Sequence, residues 1–134
     1  MKYMNLKVVL NFVGFVVLLS SVQADELKVA EGFECKKIYQ VPHKQQGSWV
    51  AIAIHDDGRL ITADQYGSIY YVTVNGNEAP KVEPLNLKIG GAHGLLWFKD
   101  RLFVSVCERK VVGAGVYVVT DSDGEGKLDK IELI

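Results

Sequence analysis

The chain has 134 residues, of which 49% are hydrophobic and 23% charged, a composition typical of one small globular domain with enough apolar content to bury a core. Fifteen basic and sixteen acidic residues give a formal charge of −1, and because the lysines and arginines are scattered among the acids, no nucleic-acid role is indicated. The sequence has no Ser-His-Asp order, no His-x-x-x-His zinc pair and no glycine-rich phosphate loop, which argues against a hydrolase or a kinase.

Residues 1–24 have the pattern of a secretory signal peptide. Lys2 and Lys7 precede an apolar run over 8–22, and the small residue Ala24 ends the segment. An uncleaved membrane anchor is the alternative, but the run is shorter than the ~20 apolar residues that a spanning helix needs, and Asn11 interrupts it. We therefore predict a secreted or periplasmic protein over 25–134 with no membrane span after cleavage. Its thirteen basic and sixteen acidic residues give a formal charge of −3.

The two cysteines, Cys35 and Cys107, both lie in the predicted exported part, where a disulfide can form and persist. They can pair with each other, remain as two buried thiols, or pair with a part of the protein outside this sequence, and their spacing does not decide between these alternatives. Neither begins a Cys-x-x-Cys-His motif, so we predict no covalent haem on this chain.

Short strands and tight turns begin at Trp49. The apolar alternation of Val50, Ile52 and Ile54 with two alanines predicts a first strand, which ends at the turn 56–58. Further strands are predicted over 59–63 and 68–74, separated by a break at 64–67 and closed by Asn-Gly-Asn at 75–77. The simplest interpretation is a three-strand meander, followed by a linker that contains two prolines.

The same pattern returns over 94–98, 101–106 and 115–119. Aligning Arg59 with Arg101 gives a spacing of 42 residues, and aligning the strand at Ile69 with the one at Val116 gives 47. A period of ~40 to 50 residues is that of a four-stranded propeller blade, although a β-sandwich also has short strands and turns. The predicted fold class is therefore all-β, a partial β-propeller of about two antiparallel four-stranded blades.

A propeller closes with at least ~4 blades, so two blades predict that residues 25–134 are the N-terminal part of a longer, apparently truncated propeller domain. Residues 130–134 resemble the start of another strand.

Acidic side chains over 121–132 fall at the spacing of a calcium loop. Counting Asp121 as the first position, Gly126 occupies the sixth, where the chain must turn sharply. The run over 115–120 is β-branched and aromatic, so the loop is predicted to leave a strand and not a helix. A solvated acidic turn is the alternative, and a bound calcium ion would have a structural role. The predicted metal ligands are Asp121, Asp123, Glu125, the Lys127 carbonyl, Asp129 and Glu132.

Five phrases together resemble the N-terminal region of secreted propellers related to the glucose/sorbosone dehydrogenases, many of which carry a c-type haem domain. They lie, in order, at 46–50, 57–61, 64–67, 92–95 and 121–129. The resemblance implies a propeller that holds pyrroloquinoline quinone (PQQ) with calcium, oxidises a sugar or polyol, and passes electrons to a c-type cytochrome domain. Most blades and the haem region are absent from this sequence.

His93 is the candidate catalytic base in such an enzyme. It stands in Gly-Gly-Ala-His-Gly at 90–94, where small neighbours leave room for an imidazole to face a cavity, and histidine can remove a hydroxyl proton near neutral pH. The alternative is a histidine hydrogen-bonded at the inner edge of a blade. His43 and His55 are predicted to lie on the surface, beside turns.

Asp64 and Gln65 are, by the resemblance, the candidate cofactor-binding residues. They begin a polar break between strands, and the chemistry of a tight turn explains them equally well. Trp49 and Trp97 adjoin apolar strands and are interpreted as blade-packing residues.

Three hypotheses of function follow from the sequence. The leading one is a quinone-dependent sugar or polyol oxidoreductase with a structural calcium loop. The second is a non-catalytic propeller module that binds a carbohydrate or a protein, and the third is a truncated product without independent function.

Overall fold

A computed structural model describes residues 28–76, 78–108 and 110–134. The predicted signal peptide at 1–24 lies outside the described residues. The chain divides into two compact units, 1–35 and 36–134, and every described strand belongs to the second. Among the described residues, no helix has the length and apolar character needed to cross a membrane.

The described fold is all-β, with one short helix before the first strand. The helix α1 spans His43–Gln46. The strands are β1 (Trp49–Ile54), β2 (Leu60–Asp64), β3 (Ile69–Thr73), β4 (Lys81–Pro84), β5 (Ala92–Trp97), β6 (Leu102–Val106), β7 (Gly115–Thr120) and β8 (Lys130–Leu133).

The strands form two antiparallel four-stranded sheets in which spatial order equals chain order. Sheet A contains β1 to β4 and sheet B contains β5 to β8. This meander is the connectivity of a propeller blade, whereas a sandwich uses Greek-key connections between its sheets. The predicted fold class, a partial propeller of two blades, is confirmed.

The hydrogen-bond registers confirm both repeat spacings. Leu60 pairs with Val72 in sheet A, and Leu102 pairs with Val119 in sheet B. The first members of these pairs are 42 residues apart and the second members 47, as the sequence alignment predicted. Tyr70 and Tyr117 consequently occupy equivalent positions, and both are buried.

Each blade has four strands, as predicted, and the fourth, outer strand lies outside the three-strand meander to which residues were assigned. β4 lies within the predicted linker, and its last residue, Pro84, pairs with Tyr70. Proline cannot donate to a ladder, but an edge strand tolerates it because one side of the strand has no partner. The strand predicted over 130–134 is confirmed, because residues 130–133 form the outer strand of sheet B, against β7.

The core lies between the two sheets, where β5 adjoins β1 and β2. The smaller residues of β1, Ala51 and Ala53, pack against this core, while Val50, Ile52 and Ile54 are exposed. Small side chains allow the two sheets to approach closely. The most deeply buried apolar side chains of the core include Ile61, Ile69, Ile89, Leu102, Val104 and Val119.

Both cysteine thiols are free and exposed, so the alternative of two buried thiols is wrong.

Candidate functional site

The turn between β7 and β8, residues 121–129, closes on the carboxylate of Asp121. Its Oδ1 accepts hydrogen bonds from the amides of Asp123 and Gly124 at 3.2 and 2.9 Å, and its Oδ2 accepts one from Gly126 at 2.6 Å. Gly124 and Gly126 have φ angles of 80° and 82°, which L side chains adopt only with strain. The glycine at the sixth loop position thus makes the sharp turn that its place in the sequence predicted.

A second set of hydrogen bonds fixes the end of the turn. The Asp129 carboxylate accepts from the Ser122 amide at 2.9 Å and from the Ser122 hydroxyl at 2.6 Å. The Asp129 amide donates to the Thr120 carbonyl at 3.0 Å, which joins the turn to the end of β7. The loop follows a strand, as predicted.

These hydrogen bonds keep two carboxylates charged. Desolvation acts to raise the pKa of Asp121, but the amides of Gly126, Gly124 and Asp123 outweigh it and hold the pKa below its usual range. The hydroxyl and amide of Ser122 lower the pKa of Asp129. Because both values are lower when folded, the two groups stabilise the fold above the ordinary aspartate pKa, and this contribution is lost as the pH falls through the lowered values.

The predicted metal ligands are only partly assembled. Asp121, Asp123 and Asp129 share one turn, and Asp123 Oδ1 accepts from the Glu125 amide at 3.0 Å. Glu132 instead lies in β8, and its carboxylate is 3.0 Å from the Lys130 ammonium. Within 28–76, 78–108 and 110–134, no group of three or more His, Cys, Asp or Glu side chains is arranged so as to hold a metal ion. The calcium site stays a prediction.

A cavity of about 260 Å³ adjoins this turn, between the two blades. Its lining from the turn is Asp121, Gly126 and Leu128, and its lining from the strands and their other turns is His55, Arg59, Tyr71, Trp97 and Asp100. The His55 ring is tilted over Trp97 with centroids 4.1 Å apart, and it meets Tyr71 edge-on at 5.7 Å. Aromatic faces and charged groups of both signs therefore meet in one recess.

Asp57 fixes the two basic side chains of this recess. Its Oδ1 is 2.9 Å from His55 Nδ1, and its Oδ2 accepts from Arg59 Nε at 2.7 Å. Burial acts to raise the pKa of Asp57, but hydrogen bonds from the amide and the side chain of Arg59, with the Arg59 charge, lower it overall. The Arg59 guanidinium lies 3.9 Å from the centre of the Tyr71 ring, a cation–π arrangement.

The prediction that His55 lies on the surface is wrong, because its side chain is only 17% exposed. The exposed position of His43 is confirmed. The phrase Asp-Gly-Arg at 57–59 was the one sequence signal for this recess, since it places an acid and a base across a tight turn.

The other candidate residues lie at the opposite ends of the strands. His93 is exposed in a β-bulge, because its neighbours Ala92 and Gly94 pair with Val106 and Ser105 while His93 has no partner. Bulges re-aim side chains and are common beside active sites. A Cβ on Gly67 would lie 3.2 Å from the Cα of Gly90, so the β2–β3 turn abuts the linker that leads to His93.

Asp64 serves the β2–β3 turn. It is 1% exposed. Its Oδ1 accepts from the amides of Tyr66 and Ser68 at 2.8 and 2.9 Å, and its Oδ2 accepts from the Tyr70 hydroxyl at 2.7 Å. Burial, with the hydrogen bond to Asp64, raises the pKa of Tyr70. This geometry favours the turn-stabilising interpretation of Asp64. Gln65 is exposed, with its side chain over Gly47.

Both tryptophans have packing contacts. Trp49 stacks on Tyr39 with centroids 5.1 Å apart, and Trp97 packs against the core. Among the described residues, neither indole Nε1 has a hydrogen-bond partner.

Fold and site together define an all-β chain of two propeller blades, with an acidic turn beside a recess between them. Comparison with protein-family models, with curated proteins and with solved structures gave no match.

Proposed function

We propose that the chain forms two consecutive blades of an exported β-propeller in which the β7–β8 turn binds calcium. The observation that carries the proposal is the closure of that turn on Asp121, with three backbone amides bonded to its carboxylate and a left-handed glycine at the sixth position. The turn brings Asp121, Asp123 and Asp129 into one loop, and a hard cation would bind there after their carboxylate oxygens turn toward one point.

Calcium would stabilise the junction of β7 and β8 by neutralising carboxylates that repel one another. The side chains of Asp121, Asp123, Glu125 and Asp129 and the Lys127 carbonyl would hold it. Glu132 would become a ligand only after its ion pair with Lys130 is broken. The chemistry that calcium supplies here is structural, because it fixes the link between successive strands.

We expect calcium to raise the melting temperature of the chain, and Asp121→Asn to abolish that rise. With a dissociation constant on the order of 10⁻⁴ M, calcium at about 10 mM should raise the Tm by about 10 °C. The measurement is thermal unfolding followed by circular dichroism, with calcium and with chelator. The rise should also disappear as the pH falls through the lowered pKa of Asp121, because protonation removes the ligand.

Asp56→Asn is the matched control, since Asp56 is an exposed aspartate in the β1–β2 turn outside the acidic loop. It should keep the full calcium response. A Tm that does not respond to calcium, or a response that survives Asp121→Asn, would refute the calcium site.

For activity, we propose quinone-dependent oxidation of a sugar or polyol, with a c-type cytochrome domain as electron acceptor. Support comes from the sequence resemblance and from the exposed imidazole of His93 in its bulge. Asp64 does not fit as a cofactor ligand, because its carboxylate is buried and engaged by the turn.

The test of this activity is dye-linked sugar oxidation by the propeller that contains these blades, supplied with PQQ and calcium. His93→Gln should lower kcat by a factor of about 10² or more if the imidazole is the general base. His43→Gln, an exposed histidine in α1, is the control and should keep the wild-type rate. An unchanged rate in His93→Gln would remove His93 from catalysis.

The second candidate function is a non-catalytic module that binds carbohydrate. The recess beside the acidic turn favours it, because Arg59 and the carboxylates of Asp100 and Asp121 line it and can hydrogen-bond to the hydroxyl groups of a sugar. Under this hypothesis a sugar binds with no turnover in the dye-linked assay.

A further inference from the structure

The face of sheet B that points away from sheet A is exposed and apolar. Leu96 and Val116 are 58% and 44% exposed, and they flank a shallow hollow of about 350 Å³. Gly94, Phe103 and Ser105 complete its floor. An apolar hollow of this kind on a sheet marks an interaction surface.

The internal repeat identifies this surface as the counterpart of one that is covered within the same chain. Gly94 and Leu96 pair with Ser105 and Phe103, as Ala51 and Ala53 pair with Ala63 and Ile61. Ser105 pairs with Val116, as Ala63 pairs with Ile69. In sheet A, all these residues belong to the core or pack against it, because sheet B lies upon them.

On the opposite face of sheet A, the matching residues of the inner strand β1 are also exposed, whereas Thr62 and Val72 on that face are fully buried. In sheet B it is the inner strand β5 that covers sheet A, and Leu95 and Trp97 of that strand pack against the core. The equivalent residues of β1 are Ile52 and Ile54. Ile52 pairs with Thr62 in sheet A as Leu95 pairs with Val104 in sheet B. In the same way, Ile54 pairs with Leu60 as Trp97 pairs with Leu102. Ile52 and Ile54 are 59% and 68% exposed.

We propose that copies of this chain associate head to tail, with the β1 face of one copy, Ile52 and Ile54, on the β5–β6 face of the next, Leu96, Phe103 and Val116. The contact would repeat the packing of sheet B on sheet A, with β1 of the second copy in the place of a third inner strand. A heterologous contact of this kind closes into a ring when the rotation allows. Since propellers have about 4 to 8 blades, a ring contains about two to four copies.

This inference rests on the two-blade fold and on the exposed faces. It is independent of calcium binding and of sugar oxidation, so the failure of either proposal leaves it standing.

The test is the mass of the purified chain in solution, measured by sedimentation velocity over a range of micromolar concentrations. We expect a species of about two to four chain masses. Leu96→Asp and Ile52→Asp should each break up the ring, while circular dichroism stays that of the wild type. Tyr66→Asp is the matched control, because Tyr66 is as exposed as Ile52, at 59%, but lies in the β2–β3 turn, outside the β1 face and the β5–β6 face.

Mixing the two variants separates a head-to-tail contact from a symmetric one. Leu96→Asp keeps an intact β1 face and Ile52→Asp keeps an intact β5–β6 face, so the mixture should form a one-to-one heterodimer and nothing larger. A monomeric wild type, as expected if further blades of a longer chain cover these faces, would overturn the proposal. So would an oligomer that survives both substitutions, or a mixture that stays monomeric.

Discussion

Asp64→Ala should lower the free energy of unfolding by about 3 kcal/mol or more. Three donors, the amides of Tyr66 and Ser68 and the hydroxyl of Tyr70, lose their acceptor together. Each hydrogen bond to a carboxylate is worth about 1.5–3 kcal/mol, and a buried donor without a partner costs a further desolvation penalty. Chemical denaturation of wild type and variant measures the difference.

A second variant measures how much of that loss comes from one hydrogen bond, and a third is the control. Tyr70→Phe removes a single hydrogen bond to the Asp64 carboxylate and should cost about 1.5–3 kcal/mol, and a double-mutant cycle with Asp64→Ala gives the coupling between the two side chains. Asp56→Ala, at an exposed position, should stay within about 0.5 kcal/mol of wild type.

The outcome also decides between the two interpretations of Asp64. A carboxylate that served only a cofactor would leave the stability of the free chain nearly unchanged when it is removed. An Asp64→Ala chain as stable as the wild type would therefore contradict the turn-stabilising role and favour the cofactor hypothesis.

The blades were predictable because their signals are local. Strict apolar alternation, turns rich in Asp, Asn and Gly, and the spacings of 42 and 47 residues are all contained within short stretches of sequence. The pairs Leu60 with Val72 and Leu102 with Val119 are equivalent in the two blades, in agreement with those spacings. The two blades therefore have the same strand order because they share the same local sequence pattern.

Two features of the fold depend on neighbours that a local pattern does not contain. Residues 81–84 form β4 although they end in Pro84, because β3 supplies a free edge that a proline-containing strand can join. In β1 both faces are apolar, so alternation marks a strand without saying which face is buried. The approach of β5 selects the alanines and leaves Ile52 and Ile54 exposed.

The candidate site also has one part that the local sequence predicted and one part that it did not. The acidic turn was found because its residues are consecutive, and glycine at the sixth position has the predicted sharp turn. The recess beside it unites His55, Tyr71, Trp97 and Asp121, which lie on four different segments. Such convergence is a property of blade packing, and only the contact between Asp57 and Arg59 within one turn could be read locally.

Gly67→Ala should destabilise the fold by about 3 kcal/mol, through two effects that a matched variant separates. Gly67 has a φ of 100°, where an alanine costs about 1–2 kcal/mol of backbone strain. Its Cβ would also lie 3.1 Å from the Gly90 carbonyl carbon and 3.2 Å from the Gly90 Cα. Such crowding costs about 1–3 kcal/mol because backbone atoms cannot move aside as a flexible side chain can.

Gly58→Ala is the matched variant. Gly58 has a φ of 86° but no atom within 4 Å of the added Cβ, so this variant carries the strain without the crowding. Its loss in chemical denaturation should be about 1–2 kcal/mol, and the excess in Gly67→Ala measures the contact between the β2–β3 turn and the linker at Gly90. That contact lies at the same end of the blades as the Asp64 turn and His93. Equal losses in the two variants would mean that the β2–β3 turn does not press on the linker at Gly90.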